Sequence, residues 1–119
     1  MMDYKLAKLD ARWPHWFKNC YVSCGPGWFD LLWDLCEKIE RLDPGPDFEI
    51  RDVKEKFGGL RFYISAVHQD KADAVYALID EAEQRASITC DTCGLPGETR
   101  YDRGWILTLC DTCNVKAEV

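Results

Sequence analysis

Four cysteines near the end of the chain have the spacing of a metal-binding site. Cys90 and Cys93 form one Cys-x2-Cys pair, and Cys110 and Cys113 form a second pair after 16 intervening residues. Each pair lets one tight turn aim two thiolates at a common point, and two such turns face to face complete a tetrahedron. The spacing therefore predicts a zinc ribbon over residues 88–116 that binds one Zn²⁺ ion.

A zinc ion held by four thiolates has no open coordination position. Catalytic zinc keeps such a position for water or substrate, so the pattern predicts a structural ion. The two competing interpretations are a redox Cys-x2-Cys motif and an accidental spacing. Two matched pairs without a surrounding βαβ pattern disfavour both interpretations.

The other three cysteines, Cys20, Cys24 and Cys36, lie around the first predicted helix. We expect them to pack in the protein, and Cys36 in particular to lie in the core. One alternative is a second metal site formed by Cys20, Cys24 and His15, although this spacing is not a strong ligand signature. Another is a nucleophilic Cys24 with His15 or His68 as its base, because a thiol near a helix start can have a lowered pKa.

Aromatic residues before and within the first predicted helix form a candidate partner-binding group. This group consists of Trp13, Trp16, Phe17 and Trp33. Exposed aromatic side chains would be anchors for another protein, because such residues dominate protein interfaces. Buried ones would belong to an N-terminal arm that covers the core, and we favour burial.

A second candidate group is the basic segment around a predicted hairpin, with Lys54, Lys56 and Arg61. Residues 51–61 carry four basic and two acidic side chains in a chain that is mostly acidic elsewhere. Basic residues next to aromatic ones are able to bind an anion or stack on a base. The interpretation we favour is a hairpin with a charged outer face and an aromatic inner face.

The pattern of apolar residues predicts an α+β domain in which two helices pack on a small antiparallel sheet. The helices are expected over residues 28–42 and 70–85. The strands are expected over residues 48–53 and 60–66, joined at Gly58–Gly59, with a ribbon strand at 105–109. We divide the single domain into an irregular aromatic N-terminal arm (1–26), a helix–hairpin–helix core (27–87) and the zinc ribbon (88–116).

Charge and hydropathy limit the classes of partner that we expect for this chain. The chain has 119 residues and a formal net charge of −6, which disfavours binding to nucleic acid and suggests a protein partner. The first residues contain no apolar run long enough for a signal peptide, and no segment approaches the roughly 20 apolar residues that span a bilayer. We therefore expect a cytoplasmic protein with no membrane association.

Three segments of the chain resemble small, largely uncharacterised proteins encoded by bacteriophages and prophages. The segments are GWFDLLWDLCEKIE, VKEKFGGLRFY and GWILTLCDTC, and the resemblance covers roughly residues 24–113. Cys24-Gly25, the ribbon cysteines and Trp105 also match. The resemblance implies a bacterial host cell and no established enzymatic activity, and it implies no catalytic residues.

These observations predict a non-enzymatic, zinc-binding protein that acts by binding a protein partner. Small acidic phage proteins often block a host protein such as a defence complex, and we extend that role to this chain by analogy alone. The alternative is a nucleic-acid-binding accessory protein that uses the basic hairpin of residues 51–61.

Overall fold

The computed structural model describes residues 5–117, which form an α+β fold. The helices are α1 (Ala7–Arg12), α2 (Pro14–Phe17), α3 (Phe29–Leu42), α4 (Ala72–Ala86) and α5 (Asp111–Ala117). The strands are β1 (Tyr21–Ser23), β2 (Glu49–Lys56), β3 (Gly59–Ser65), β4 (Glu98–Arg100) and β5 (Leu107–Leu109). No helix in the described range is long and apolar enough to cross a lipid bilayer.

The two long helices, α3 and α4, form where the apolar periodicity predicts them. Both predicted ranges are confirmed to within two residues, and a short 3-10 turn precedes each helix. The two helices pack against each other through their apolar faces. The buried residues on these faces are Leu31, Leu32, Leu35, Cys36 and Ile39 of α3 and Val75, Ile79, Ala82 and Ala86 of α4.

Strands β2 and β3 form the predicted antiparallel hairpin, with Val53 opposite Phe62. The sheet has a third strand that was not predicted, because β1 pairs in parallel with the other edge of β2 and places Val22 opposite Val53. A strand of three residues is too short to show an alternating pattern. The ribbon strand is also shorter than predicted, since only Leu107–Leu109 pairs with β4.

The turn of the hairpin consists of Phe57 and Gly58, so the predicted Gly58–Gly59 turn is wrong by one residue. Lys56 pairs with Gly59, and the two residues between them have φ angles of 55° and 83°. Positive φ at both positions gives a type I′ turn, whose twist matches that of the two strands. The error arose because phenylalanine is an unusual residue at positive φ.

Residues 5–26 of the N-terminal arm contain two short helices and a strand, which corrects the prediction of an irregular segment. Helices α1 and α2 have only six and four residues, which is too short to show a clear helical period. They are stabilised by burial, because Leu6, Leu9, Trp13 and Phe17 are all part of the core. The predicted arrangement of two helices on a hairpin is therefore incomplete.

Helices α2 and α4 pack against strands β2 and β3 of the three-stranded sheet. Val22, Val53 and Phe62 point toward the helices and are buried. Because side chains alternate along a strand, their neighbours point the other way. We call this opposite side the outer sheet face; it includes Tyr21 and Ser23 of β1, Glu49, Asp52, Lys54 and Lys56 of β2, and Arg61 and Tyr63 of β3.

Replacing Phe57 with asparagine should stabilise the fold. Asparagine tolerates the left-handed conformation that costs most other residues about 1 kcal/mol, and the Phe57 ring is 68% exposed. We expect Phe57→Asn to raise the melting temperature by about 3–6 °C in thermal unfolding followed by circular dichroism. A lower melting temperature would show that the Phe57 ring contributes to stability.

The matched control is Gly58→Ala at the next position. Its φ of 83° is unfavourable for alanine, and the added Cβ would lie 3.0 Å from Thr99 Cγ2. We expect a loss of more than about 1 kcal/mol and a lower melting temperature.

Candidate metal centre

Two turns carry the four predicted metal ligands. Cys90 and Cys93 lie in the turn after α4, which closes when Gly94 N–H donates to Cys90 O at 3.0 Å. Cys110 follows β5, and Cys113 lies in the first turn of α5. The backbone N–H of Cys113 donates to Cys110 Sγ at 3.4 Å.

The four sulfur atoms converge on one point. All four lie within 4.8 Å of one another, and Cys93 Sγ and Cys110 Sγ are 3.6 Å apart. Sulfurs at about 2.3 Å from a central zinc ion would be about 3.8 Å apart in a tetrahedron. None of the seven cysteines forms a disulfide. The arrangement therefore fits a single metal ion held by four thiolates.

The electrostatics of the cluster also fit a bound cation. Burial disfavours charge on Cys90, but N–H groups from Cys110, Cys93 and Thr92 donate to its sulfur and lower its pKa to about 7. Burial and the neighbouring sulfurs raise the pKa of Cys113 to about 12. The negative charge of one thiolate therefore disfavours ionisation of the neighbouring thiols. A cation at the centre of the cluster would offset this repulsion.

The loop before α3 is pressed against the first cysteine turn. Gly25 N–H donates to Asp91 Oδ1 at 2.6 Å, and Gly27 N–H donates to Asp91 O at 2.8 Å. Trp28 Nε1–H donates to the backbone oxygen of Thr89 at 2.9 Å. A Cβ at Gly27 would lie 2.1 Å from Cys90 O, so only glycine fits there. This contact joins the metal site to the core.

The tip of the hairpin meets the same unit from another side. The hydroxyl of Thr108, a fully buried residue, donates to Gly58 O at 2.7 Å, and its oxygen lies 3.0 Å from Thr99 Oγ1. Thr108 O in turn accepts the N–H of Asp91 at 2.9 Å. Strand β5 therefore contacts both the hairpin and the first cysteine turn.

Arg100 forms hydrogen bonds with residues on both sides of Cys110 in the second cysteine turn. Its guanidinium donates to Leu109 O at 3.2 and 3.1 Å and to Asp111 Oδ1 at 2.7 Å. It also forms an ion pair with Glu98 at 3.1 Å. These bonds hold the backbone oxygen of Leu109 and the side chain of Asp111, the two residues that flank Cys110.

The predicted aromatic group lies mainly in the core. Trp13 and Phe17 are buried, and Trp13 Nε1 donates to Glu40 Oε2 at 3.2 Å. Trp16 and Trp33 are partly buried and pack against the core, with Trp33 edge-on to Trp13 at 4.8 Å between ring centroids. The expectation of burial is confirmed for Trp13 and Phe17.

The predicted basic residues lie together on the hairpin. Lys54 and Arg61 are opposite each other on the outer sheet face, and Lys56 is exposed near the turn. Lys54 Nζ lies 3.4 Å from Asp52 Oδ2 and 5.8 Å from the Tyr63 ring centroid. Lys56 Nζ lies 5.7 Å from the centroid of the Phe57 ring.

The three remaining cysteines stay outside the metal cluster. Cys36 is buried in the core as expected, and Cys20 and Cys24 are partly buried against it. Burial raises the pKa of both Cys20 and Cys24 to about 12, and nearby carboxylates add to the effect. A thiol with such a pKa is a poor nucleophile at neutral pH.

One feature that the sequence reasoning missed is a groove beside the hairpin tip. It has a volume of about 380 Å³ and is lined by Glu55, Lys56, Phe57, Gly104, Trp105 and Ile106. Phe57 and Trp105 are 68% and 69% exposed. Phe57 lies next to the predicted hairpin turn, and Trp105 lies at the start of the predicted ribbon strand. Because the two residues are 48 positions apart in the sequence, no local pattern indicates that they line the same groove.

Comparison with known proteins leaves the chain without a match. No protein-family model, no curated protein and no solved structure is similar to it.

The four sulfurs should bind one metal ion per chain. We expect elemental analysis of purified protein to give about one equivalent, and Cys93→Ser to lose most of it because three thiolates bind less tightly. Cys24→Ser is the matched control, since Cys24 lies outside the cluster, and should keep the ion. Metal-free wild-type protein with an unchanged melting temperature would contradict the site.

Gly27→Ala should damage both the fold and the metal site. The added Cβ overlaps the backbone of the cysteine turn, so we expect a loss of more than about 2 kcal/mol and faster release of metal to a chelator. Gly59→Ala is the control, because the nearest atom to its Cβ would be 3.5 Å away. Equal stability of the two variants would show that the contact is not a constraint.

Proposed function

We propose that the four thiolates hold one structural zinc ion. Tetrahedral sulfur sites suit zinc or iron, and the two Cys-x2-Cys pairs have the spacing of a zinc ribbon. Four sulfurs leave no coordination position for water or substrate. The ion would hold the two cysteine turns together and would take no part in a reaction.

We further propose that the chain is a non-enzymatic binding module for a protein partner. The observation that carries this proposal is the groove that Phe57 and Trp105 both line, because both are large aromatic residues that are mostly exposed. Exposed aromatic residues at a groove are typical anchors of protein interfaces. We call this surface the tip groove.

The fold itself gives no reason for phenylalanine at position 57. Its backbone is left-handed, a conformation better served by asparagine or glycine, and its ring lies mostly in solvent. Residues that break local rules without gaining burial are concentrated at functional sites. Binding a partner is the role that would account for this residue.

The absence of a reactive constellation in the described residues supports a binding role. Cys24, the candidate nucleophile, has a raised pKa. His68, one of its candidate bases, contacts the carboxylate of Asp70 through Nδ1. A metal ion with four sulfur ligands cannot activate water, so metal-assisted hydrolysis is not supported either.

The chemistry of the chain also limits the partner. A net charge of −6 favours a partner protein with a basic surface. An apolar side chain projecting from that surface would enter the tip groove. The resemblance to phage-encoded proteins makes a bacterial host protein, such as a component of a defence complex, the first partner to test.

The test is capture of proteins from a nuclease-treated bacterial lysate by the tagged chain and its variants. We expect one host protein to be retained by the wild type and reduced at least tenfold by Phe57→Asn and by Trp105→Ala. Phe57→Asn is informative because it should not weaken the fold.

The matched control for capture is Tyr76→Ala, which removes a half-exposed aromatic residue from α4. It should retain the partner as the wild type does. Capture that is unaffected by either tip-groove variant, or that returns only nucleic acid from an untreated lysate, would contradict the proposal.

A further inference from the structure

The outer sheet face combines aromatic and basic side chains in two cross-strand rows. Tyr21, Asp52 and Tyr63 occupy one row, because Asp52 pairs with Tyr21 on one side and with Tyr63 on the other. Ser23, Lys54 and Arg61 occupy the next row by the same register. Each row crosses all three strands of the sheet.

This face is open to solvent within the described residues. Tyr21 is 64% exposed and Tyr63 is 49% exposed, although both belong to a sheet whose other side is buried. Two inter-strand spacings separate them, so their backbones are about 10 Å apart, on either side of Asp52. The two residues therefore provide two distinct platforms for planar groups.

The charge of the face differs from that of the whole chain. Lys54, Lys56 and Arg61 lie on it by register, and so do the carboxylates of Glu49 and Asp52. Lys54 pairs with Asp52, and Arg61 lies near Glu83 of α4. Three cations against two carboxylates leave the face with a net charge of +1, in a chain whose total is −6.

We propose that the outer sheet face binds single-stranded nucleic acid. Two successive bases would stack on Tyr21 and Tyr63, as bases stack on exposed aromatic residues of other open sheets. Lys54, Lys56 and Arg61 would contact the phosphates. A positive, aromatic face complements a strand that offers phosphates and unpaired bases, whereas a duplex hides its base faces.

Asp52 gives the proposed site a base preference. It lies between the two tyrosines, and a carboxylate only accepts hydrogen bonds when ionised. Cytosine and adenine offer an exocyclic amino group as donor, and thymine has none. The face should therefore bind cytosine or adenine strands more tightly than thymine strands.

This inference does not depend on the proposed protein partner. The tip groove is lined by Phe57 and Trp105, and the stacking residues are Tyr21 and Tyr63. Variants of one surface should leave binding at the other unchanged, so failure of either proposal is visible separately.

The test is fluorescence anisotropy of labelled 12-nucleotide DNA strands of dC, dA and dT with the metal-loaded protein at low salt. We expect Tyr21→Ala and Tyr63→Ala each to weaken dC binding about tenfold, in line with the cost of losing one stacked base. Tyr76→Ala is the matched control, because Tyr76 has the same 49% exposure as Tyr63 but lies on α4. It should bind as the wild type does.

Two further variants test the charge and the base preference. Lys54→Gln should reduce the slope of log affinity against log salt by about 0.7, whereas Lys38→Gln, which removes a lysine paired with Glu81 on the helices, should not. Asp52→Ala should abolish the preference for dC over dT. No binding at low salt, or equal binding by wild type and both tyrosine variants, would overturn the proposal.

Discussion

The close contact of the loop before α3 with the first cysteine turn is the constraint on which the metal unit depends. Gly25 and Gly27 donate their backbone N–H groups to Asp91, and no side chain fits between the two backbones. A ribbon of two three-residue strands has little core of its own. Its position is therefore set partly by the two cysteine turns and partly by a loop more than 60 residues earlier in the chain.

The β2–β3 hairpin contacts the cysteine unit and also forms part of the two surfaces proposed to bind partners, the tip groove and the outer sheet face. Thr108 holds the backbone of Gly58, so the tip of the hairpin is fixed against β5. The same two strands present Phe57 at their tip and Tyr63, Lys54 and Arg61 on their outer face. Because Thr108 also accepts the N–H of Asp91, the hairpin tip is joined to the cysteine cluster through β5.

Local patterns predicted the features of this chain that depend on neighbouring residues. The periodicity of α3 and α4, the alternation in β2 and β3, and the spacing of the four cysteines are each contained within short segments. Helices α1 and α2 and strand β1 were not predicted, because they are too short for a pattern and are stabilised by burial of residues such as Leu9 and Val22.

The site was predictable only in part for the same reason. The ligands follow from spacing, but the contact of Gly27 with Cys90 depends on tertiary structure that no local pattern contains. The turn at Phe57 was misplaced because the residue is poorly suited to its conformation. A phenylalanine at positive φ is the feature that makes Phe57 a candidate functional residue. It can be recognised only once the strand register is known.

The central claim is that four sulfurs saturate the metal, so that the ion supports the fold and leaves function to the protein surface. X-ray absorption spectroscopy at the metal edge of the purified protein tests it most directly. The account predicts four sulfur neighbours at about 2.3 Å and no lighter ligand. A nitrogen or oxygen neighbour at about 2.0–2.1 Å would contradict it, because a coordination position would then be open to chemistry.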